Sequence, residues 1–308
     1  MSVQSSRVRL PSQARFRLAL LVEVVMKSLL FLAAASSVFI TVGIVATLVY
    51  ESLVFFRAVS LVEFFTETMW TPLFVNPRFG IAPLMSGTLV TTGIALIVAL
   101  PVGTIVAIYL SQFAPARVRE FVKPVLELLS AVPTVVFGYF ALIFVSPVLQ
   151  KIIPGLAAFN MLAAGLVMGI MIIPYVSSVS EDAMGAVPML LREGAYAMGA
   201  NRLTTALRVV VPASLSGIGA AYILAISRAL GETMIVAIAA GMQPDLTFNP
   251  LKGAATVTAY IVQVSLGDLP HGSIEYQSIF AAGITLFFMT LGFNILGYVL
   301  RTRYREFY

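Results

Sequence analysis

The stretch "ALRVVVPASLSGIGAAYILAISRALGETMIVAIAAG", residues 206–241, is almost continuously apolar, and after Arg208 its only charges are Arg228 and Glu232. A helix needs about 20 mostly apolar residues to cross a bilayer, so the stretch reads as a membrane span. In a continuous helix, residues four apart stand one above the other on one face. Opposite charges on one face of such a span need a reason. A charge at mid-bilayer costs about 2.5 kcal/mol or more, and such residues usually face a bundle interior or an aqueous cavity.

The rest of the chain has the same character. Of 308 residues, 59% are hydrophobic and only 11% charged, where a soluble chain carries about 25% charged residues. This composition is that of an integral, all-α membrane protein. There is no cysteine, which excludes disulfides and thiolate metal sites, and no metal site is expected. The one histidine, His271, lies in Pro270-His271-Gly272 and reads as a solvated turn residue.

Six runs are long and apolar enough to span: 28–50, 81–111, 124–149, 157–180, 206–241 and 278–300. The first follows a basic segment, but its uncharged run exceeds a signal-peptide core and ends without a cleavage site, so it reads as an uncleaved span. The alternate segments between spans, with the two tails, hold 14 Lys and Arg residues, against 4 on the other side; Arg228 is the nineteenth. That asymmetry predicts cytoplasmic termini. It also accounts for the net charge of +5 without nucleic acid. The expected organisation is a basic tail at 1–27, a first span with an external interfacial segment at 28–80, a core at 81–300, and a basic tail at 301–308. Within the core lie a cytoplasmic loop at 181–212 and an external loop at 242–277. In the external loop, "TVTAYIVQV" at 256–264 reads as a short helix dipping onto the bilayer.

The cytoplasmic loop holds a short helix, expected at 188–198, with Pro188 in its first turn and Gly199 and Asn201 as its stop. Met189, Leu190, Leu191, Tyr196 and Met198 give it an apolar surface that needs cover. Composition alone leaves open whether its own bundle, the membrane surface or a partner supplies that cover.

The segment resembles the signature loop of ABC-importer permeases: Glu-Ala-Ala, three residues, Gly, nine residues, then Ile-x-Leu-Pro. Here Glu193-Gly194-Ala195 is followed by Tyr196-Ala197-Met198, Gly199, the nine residues 200–208, and Val209-Val210-Val211-Pro212. The departures are Gly194 for Ala and Val209 and Val211 for Ile and Leu. The resemblance implies the type I permease fold, about six transmembrane helices with a coupling helix between spans four and five. It further implies that Glu193, Gly194, Ala195, Gly199 and Pro212 belong to the region that meets a separate ATPase. No Gly-x-x-x-x-Gly-Lys-Ser/Thr occurs, so the chain lacks that phosphate cradle and is not expected to be an enzyme. ATP and Mg²⁺ are expected on the partner ATPase, with no cofactor on this chain.

Two further stretches, "SAVPTVVFGYFAL" at 130–142 and "ISRALGETM" at 226–234, resemble the membrane subunits of phosphate importers, the Gly-Glu-Thr-Met ending favouring the C-type permease. This resemblance implies a bacterial-type inner-membrane complex. Its partners would be ATPase subunits, a second homologous permease and an external phosphate-binding protein, set in membrane lipid.

Arg228, Glu232, Ser227 and Thr233 are the candidate lining of the path. Arginine's planar fork suits an oxyanion. A carboxylate beside it would keep the contact weak and could accept a proton from hydrogenphosphate. The plainer reading is an ion pair that only fixes the helix. Other functions consistent with the pattern are a permease for sulfate or molybdate and, from another class, a proton-coupled secondary transporter or channel. Glu127 reads as interfacial or capping. Pro101, Pro133, Pro147 and Pro174 mark possible kinks. Gly165-x-x-x-Gly169 permits a close helix contact, within the chain or with another subunit.

Overall fold

The computed structural model describes residues 13–303; the expected tail residues 1–12 and 304–308, with Arg7, Arg9 and Arg305, lie outside them. The chain divides into two units, residues 1–50 and 51–308. Helix α1, Gln13–Ala58, contains the boundary. The first unit is helical at every described residue. Its helix takes in much of the expected basic tail, and Lys27 Nζ donates to Glu23 Oε1 at 2.6 Å, one turn back.

The second unit is built almost wholly of helices, and the described residues show only two isolated β-bridges, Met69–Asp245 and Trp70–Phe79. Its elements are the end of α1, then α2 (Leu61–Thr66), α3 (Ala82–Ile108), α4 (Ala116–Ala131), α5 (Thr134–Phe140), α6 (Ser146–Ile152), α7 (Met161–Gly185) and α8 (Met189–Ala197). They continue with α9 (Arg202–Thr205), α10 (Val211–Ala213), α11 (Leu215–Leu230), α12 (Met234–Ala239), α13 (Val257–Ser265) and α14 (Ile274–Arg303). Over the described residues, five segments suffice to cross a membrane: Leu20–Ala58, Ala82–Phe113, Thr134–Ile152, Met161–Gly185 and Ile274–Val299. A sixth exists if Arg202–Ala213 and Leu215–Leu230, bent by 71°, count as one.

Two expected spans are interrupted. The run at 124–149 is not one helix: α4 ends at Ala131, and α5 begins after Pro133. The residue before a proline is driven from the helical region, and Val132 is extended, with φ −63° and ψ 130°. The run at 206–241 is also broken. It bends at Ser214, whose Oγ donates to the Val210 carbonyl at 2.8 Å, and α11 stops at Leu230, so that Gly231, Glu232 and Thr233 separate it from α12. Apolar residues flank both breaks, so hydropathy runs through them unchanged.

Three π-helical turns, Tyr109–Phe113, Ala141–Val145 and Ala206–Val210, share one local pattern. In each, the following residue donates its N–H five residues back: Ala114 to Tyr109, Ser146 to Ala141, Val211 to Ala206. The next residue is then a proline, Pro115, Pro147 or Pro212. At Pro147 and Pro212 the chain stays helical, and there the proline ring, which has no N–H and crowds the carbonyl four residues back, is given room by the wider turn; Pro115 instead follows the extended Ala114, where the helix ends.

The core is the seam between α3 and α7. Gly165 and Gly169 of α7 lie against Thr91, Ile94, Ala95 and Val98 of α3, while Gly103 of α3 lies against Val176 of α7. The Gly-x-x-x-Gly motif therefore serves a contact within the chain. The segments expected to be external also pack into the protein. Trp70 is buried among Phe64, Phe79 and Tyr260, its ring centroid 5.1 Å from that of Tyr260. The "TVTAYIVQV" stretch is helical, as α13, but Val257, Thr258, Ala259, Tyr260 and Val264 are buried in protein. Its apolar side is covered by its own chain.

Candidate functional site

Arg228 sits in the last turn of α11. Its guanidinium carbon lies 4.4 Å from the ring centroid of Tyr175 on α7, a cation–π contact. Its Nε is buried without a hydrogen-bond partner. Among the described residues neither Arg228 nor Glu232 takes part in an ion pair. The two are not stacked on one helix face, because the helix ends between them.

Glu232 faces a different task. It is 7% exposed, and its Oε1 accepts from the backbone N–H groups of Met234 at 3.1 Å and Ile235 at 3.4 Å. These are orphan donors at the start of α12, where a carboxylate is also favoured by the helix dipole. Its own carbonyl accepts from Thr258 Oγ1 at 2.7 Å. The neighbouring hydroxyls are engaged as well. Ser227 Oγ donates to Asn294 Oδ1 on α14 at 2.7 Å and approaches the Ile223 carbonyl at 3.0 Å. Thr233 Oγ1 donates to the Gly231 carbonyl at 3.2 Å. Of the four candidates, Arg228 alone keeps its polar atoms without a hydrogen bond among the described residues.

Tyr175 also lines a cavity of about 210 Å³ between α4 and α7, with Lys123, Glu127, Ser130, Ser178 and Glu181 among its walls. Glu127 is exposed along α4, and among the described residues its side chain caps no helix. Lys123 sits between two carboxylates. Burial pulls its pKa down, but the Asp182 hydrogen bond and the Glu181 and Asp182 charges outweigh this and leave it above the ordinary lysine value.

The second group of candidates lies on α8 and just beyond. The helix spans Met189–Ala197, close to the expected 188–198, and none of its residues is buried. Leu190 is 78% and Met198 89% exposed. Its anchorage is slight. Leu191 packs against the cluster of Met184, Val187, Val210 and Ile218, and Arg192 Nη2 donates to the Met184 carbonyl at 2.7 Å. The helix ends in a Schellman cap: Gly199 N–H donates to Tyr196 O at 2.9 Å and Ala200 N–H to Ala195 O at 3.0 Å. Gly199 takes φ +84°, the left-handed conformation that glycine adopts freely. Glu193 and Gly194 are exposed, Ala195 is half-buried, and Pro212 is the second residue of the short α10 beyond the third π-turn.

A backbone requirement without a steric one makes a sharp test. A Cβ at Gly199 would meet nothing within 4 Å, so only the positive φ resists substitution, by roughly 1–2 kcal/mol for an ordinary residue. Asn, which tolerates this conformation, should preserve transport, and Val should lower it with the protein still in the membrane. Equal uptake by Gly199→Asn and Gly199→Val would show that the cap has no part in transport.

Residues 99–306 match the family described as binding-protein-dependent transport system inner membrane component. The chain belongs to this family. The permease is 33% identical over 247 residues to the "Probable ABC transporter permease protein YqgH" of Bacillus subtilis, covering 80% of each chain. It is 31% identical over 266 residues to the "Phosphate transport system permease protein PstC" of Haemophilus influenzae, covering 79% of this chain and 82% of that one. Among solved structures, a bacterial alginate ABC transporter, in complex with a periplasmic protein bound to an alginate pentasaccharide, has a chain of the same fold. The TM-score is 0.61 at 16% identity, over 89% of the permease and 94% of that chain. The MetNI methionine ABC transporter in an inward-facing conformation gives 0.55 at 18% identity, over 74% and 95%. The permease is thus a multi-pass inner-membrane component of an ABC importer.

Sequence reasoning missed Tyr175, Glu181 and Asn294. Nothing in a single sequence ties Tyr175 to an arginine on another helix. Asn294 is visible as an amide inside the last apolar run, and Glu181 as an acid at the end of the fourth.

Proposed function

We propose that this permease forms half of the path for inorganic phosphate in an ATP-driven importer, with ATPase subunits, a second homologous permease and an external phosphate-binding protein as its partners. The observation that carries the reading is Arg228: a cation in an apolar helix, backed by an aromatic face and without a carboxylate partner or hydrogen bond among the described residues. A guanidinium so held presents its donors to a passing oxyanion and binds it by charge-assisted hydrogen bonds. The phosphate names of relatives at about 30% identity support the choice of anion.

Glu232 shapes the path instead of neutralising the arginine, by fixing the start of α12. Ser227 and Thr233 border the same break. The exposed α8, with Glu193, Gly194, Ala195 and Gly199, docks on the ATPase, and Pro212 sets the angle at which the next span leaves. ATP and its Mg²⁺ are bound on that partner. Both termini face the cytoplasm, as the 14-to-4 distribution of basic residues argues. A cysteine at Ser273 is therefore expected to react with an impermeant thiol reagent in intact cells. Labelling only after permeabilisation would reverse the orientation and take α8 away from ATP.

The function is tested on the purified complex in proteoliposomes. Phosphate-loaded binding protein is expected to stimulate ATP hydrolysis and phosphate accumulation together. Stimulation by sulfate or molybdate instead would change the anion. Uptake that survives complete ATP depletion would replace the importer with a secondary transporter.

A further inference from the structure

Within this chain, α4 is tied to α7 by charge more than by packing. None of the α4 residues is buried, and the cavity of about 210 Å³ lies between the two helices. Against this loose contact stands Glu181, near the end of α7 and 1% exposed. Arg119 Nη2 of α4 stands 2.6 Å from its Oε1, close enough for an ion pair although off the angle of a hydrogen bond, and Lys123 Nζ stands 3.4 Å from its Oε2. Lys123 also reaches Asp182 Oδ1 at 3.3 Å. A buried carboxylate held by cations from one neighbouring helix costs desolvation, and removing those cations leaves its charge buried and unpaired.

The latch lies between two ends that matter. On one side, α7 runs past Glu181 into α8, and Arg192 of α8 donates back to Met184, three residues beyond Glu181. On the other side, α4 leads across the extended Val132 and Pro133 into α5, where Gly138 lies against Met234 and Ile238 of α12. Glu232 caps α12. The loop before α4 contains Ala114 and Pro115, so α4 is bounded by a proline break at each end.

We infer that Glu181 is a positioning residue that makes α4 move with the end of α7, carrying a displacement of α8 through α5 to α12 beside Arg228. The inference rests on the proposed docking of α8 on an ATPase, and it assigns to the latch the coupling of hydrolysis to passage.

The test reads ATP hydrolysis and anion uptake in the same proteoliposomes of the whole complex, with Glu181→Gln and with Arg119→Ala/Lys123→Ala. Both variants are expected to keep ATP hydrolysis and lose uptake per ATP by about tenfold, the scale of an ordinary coupling free energy. Lys123→Arg, which keeps the charge, is expected to hold the wild-type ratio. A wild-type ratio in the variants would overturn the inference, as would a parallel fall of hydrolysis and uptake, since the latch would then only hold the protein together. If Glu181→Gln fails to accumulate, the double variant decides by the same criteria, because Arg119 and Lys123 are partly exposed. The ratio is measured with whichever oxyanion stimulates hydrolysis, so a wrong choice of anion shows itself in the wild type and leaves the latch open to test.

Discussion

Replacing Arg228 with Met is expected to leave the permease at normal level in the membrane and to lower ATP-dependent phosphate uptake about 100-fold. The magnitude is that of two hydrogen bonds to a charged group at about 1.5 kcal/mol each. The normal protein level follows from the geometry. Among the described residues Arg228 has no ion-pair partner, so its removal strands no charge there, and a buried Nε without a partner is relieved. For a clasped pair the arithmetic would differ: each single neutralisation would destabilise, by about 3–5 kcal/mol, and the double would recover. Here Arg228→Met/Glu232→Leu is expected to be no better than Arg228→Met and worse in stability, since Leu leaves the N–H groups of Met234 and Ile235 without their acceptor. Membrane protein level and radiolabelled phosphate uptake, scored for both variants, check this. Recovery of uptake in the double variant would restore the ion-pair reading.

Gly87→Val is expected to abolish accumulation of the protein. A Cβ at Gly87 would overlap the Ala255 carbonyl, and this neighbour is backbone, which cannot swing aside. Overpacking a core position commonly costs about 1–3 kcal/mol, and here the displaced segment is also the one that bonds elsewhere. Val257 N–H donates to Thr88 Oγ1 at 3.1 Å, and Thr258 Oγ1 to the Glu232 carbonyl at 2.7 Å. A shift of residues 255–258 would therefore move the break between α11 and α12. Gly93 is the control: a Cβ there meets nothing within 4 Å, and Ala should stabilise the helix by roughly 1 kcal/mol. Membrane protein level checks Gly87→Val, and thermal unfolding of purified Gly93→Ala in detergent checks the control; wild-type accumulation of Gly87→Val would contradict the packing described.

The class of the fold was legible because hydropathy is a sum over many residues, insensitive to any one. Breaks in helices were not, because each rests on one or two residues in an unchanged apolar background. Pro133 stops α4 and Gly231 ends α11, yet Pro101 and Pro174 sit inside α3 and α7 without ending them. The same residue type gives opposite outcomes, decided by packing that a sequence does not display. The cap of α8 was legible to its glycine, since the stop is local. The role of Glu232 was not: its spacing from Arg228 suggested a pair only on the premise of a continuous helix.

If Arg228 faces the passing anion, a thiol put in its place must be reached from the path. The chain contains no cysteine, so Arg228→Cys gives it one addressable thiol. The complex carrying this variant is treated during turnover with a cationic aminoethyl or an anionic sulfonatoethyl thiosulfonate, and phosphate uptake is then measured. Both reagents are expected to modify the cysteine, phosphate to slow the modification, and only the cationic reagent to recover uptake. A thiol that stays unmodified during turnover, or equal uptake after either reagent, would contradict that placement of Arg228.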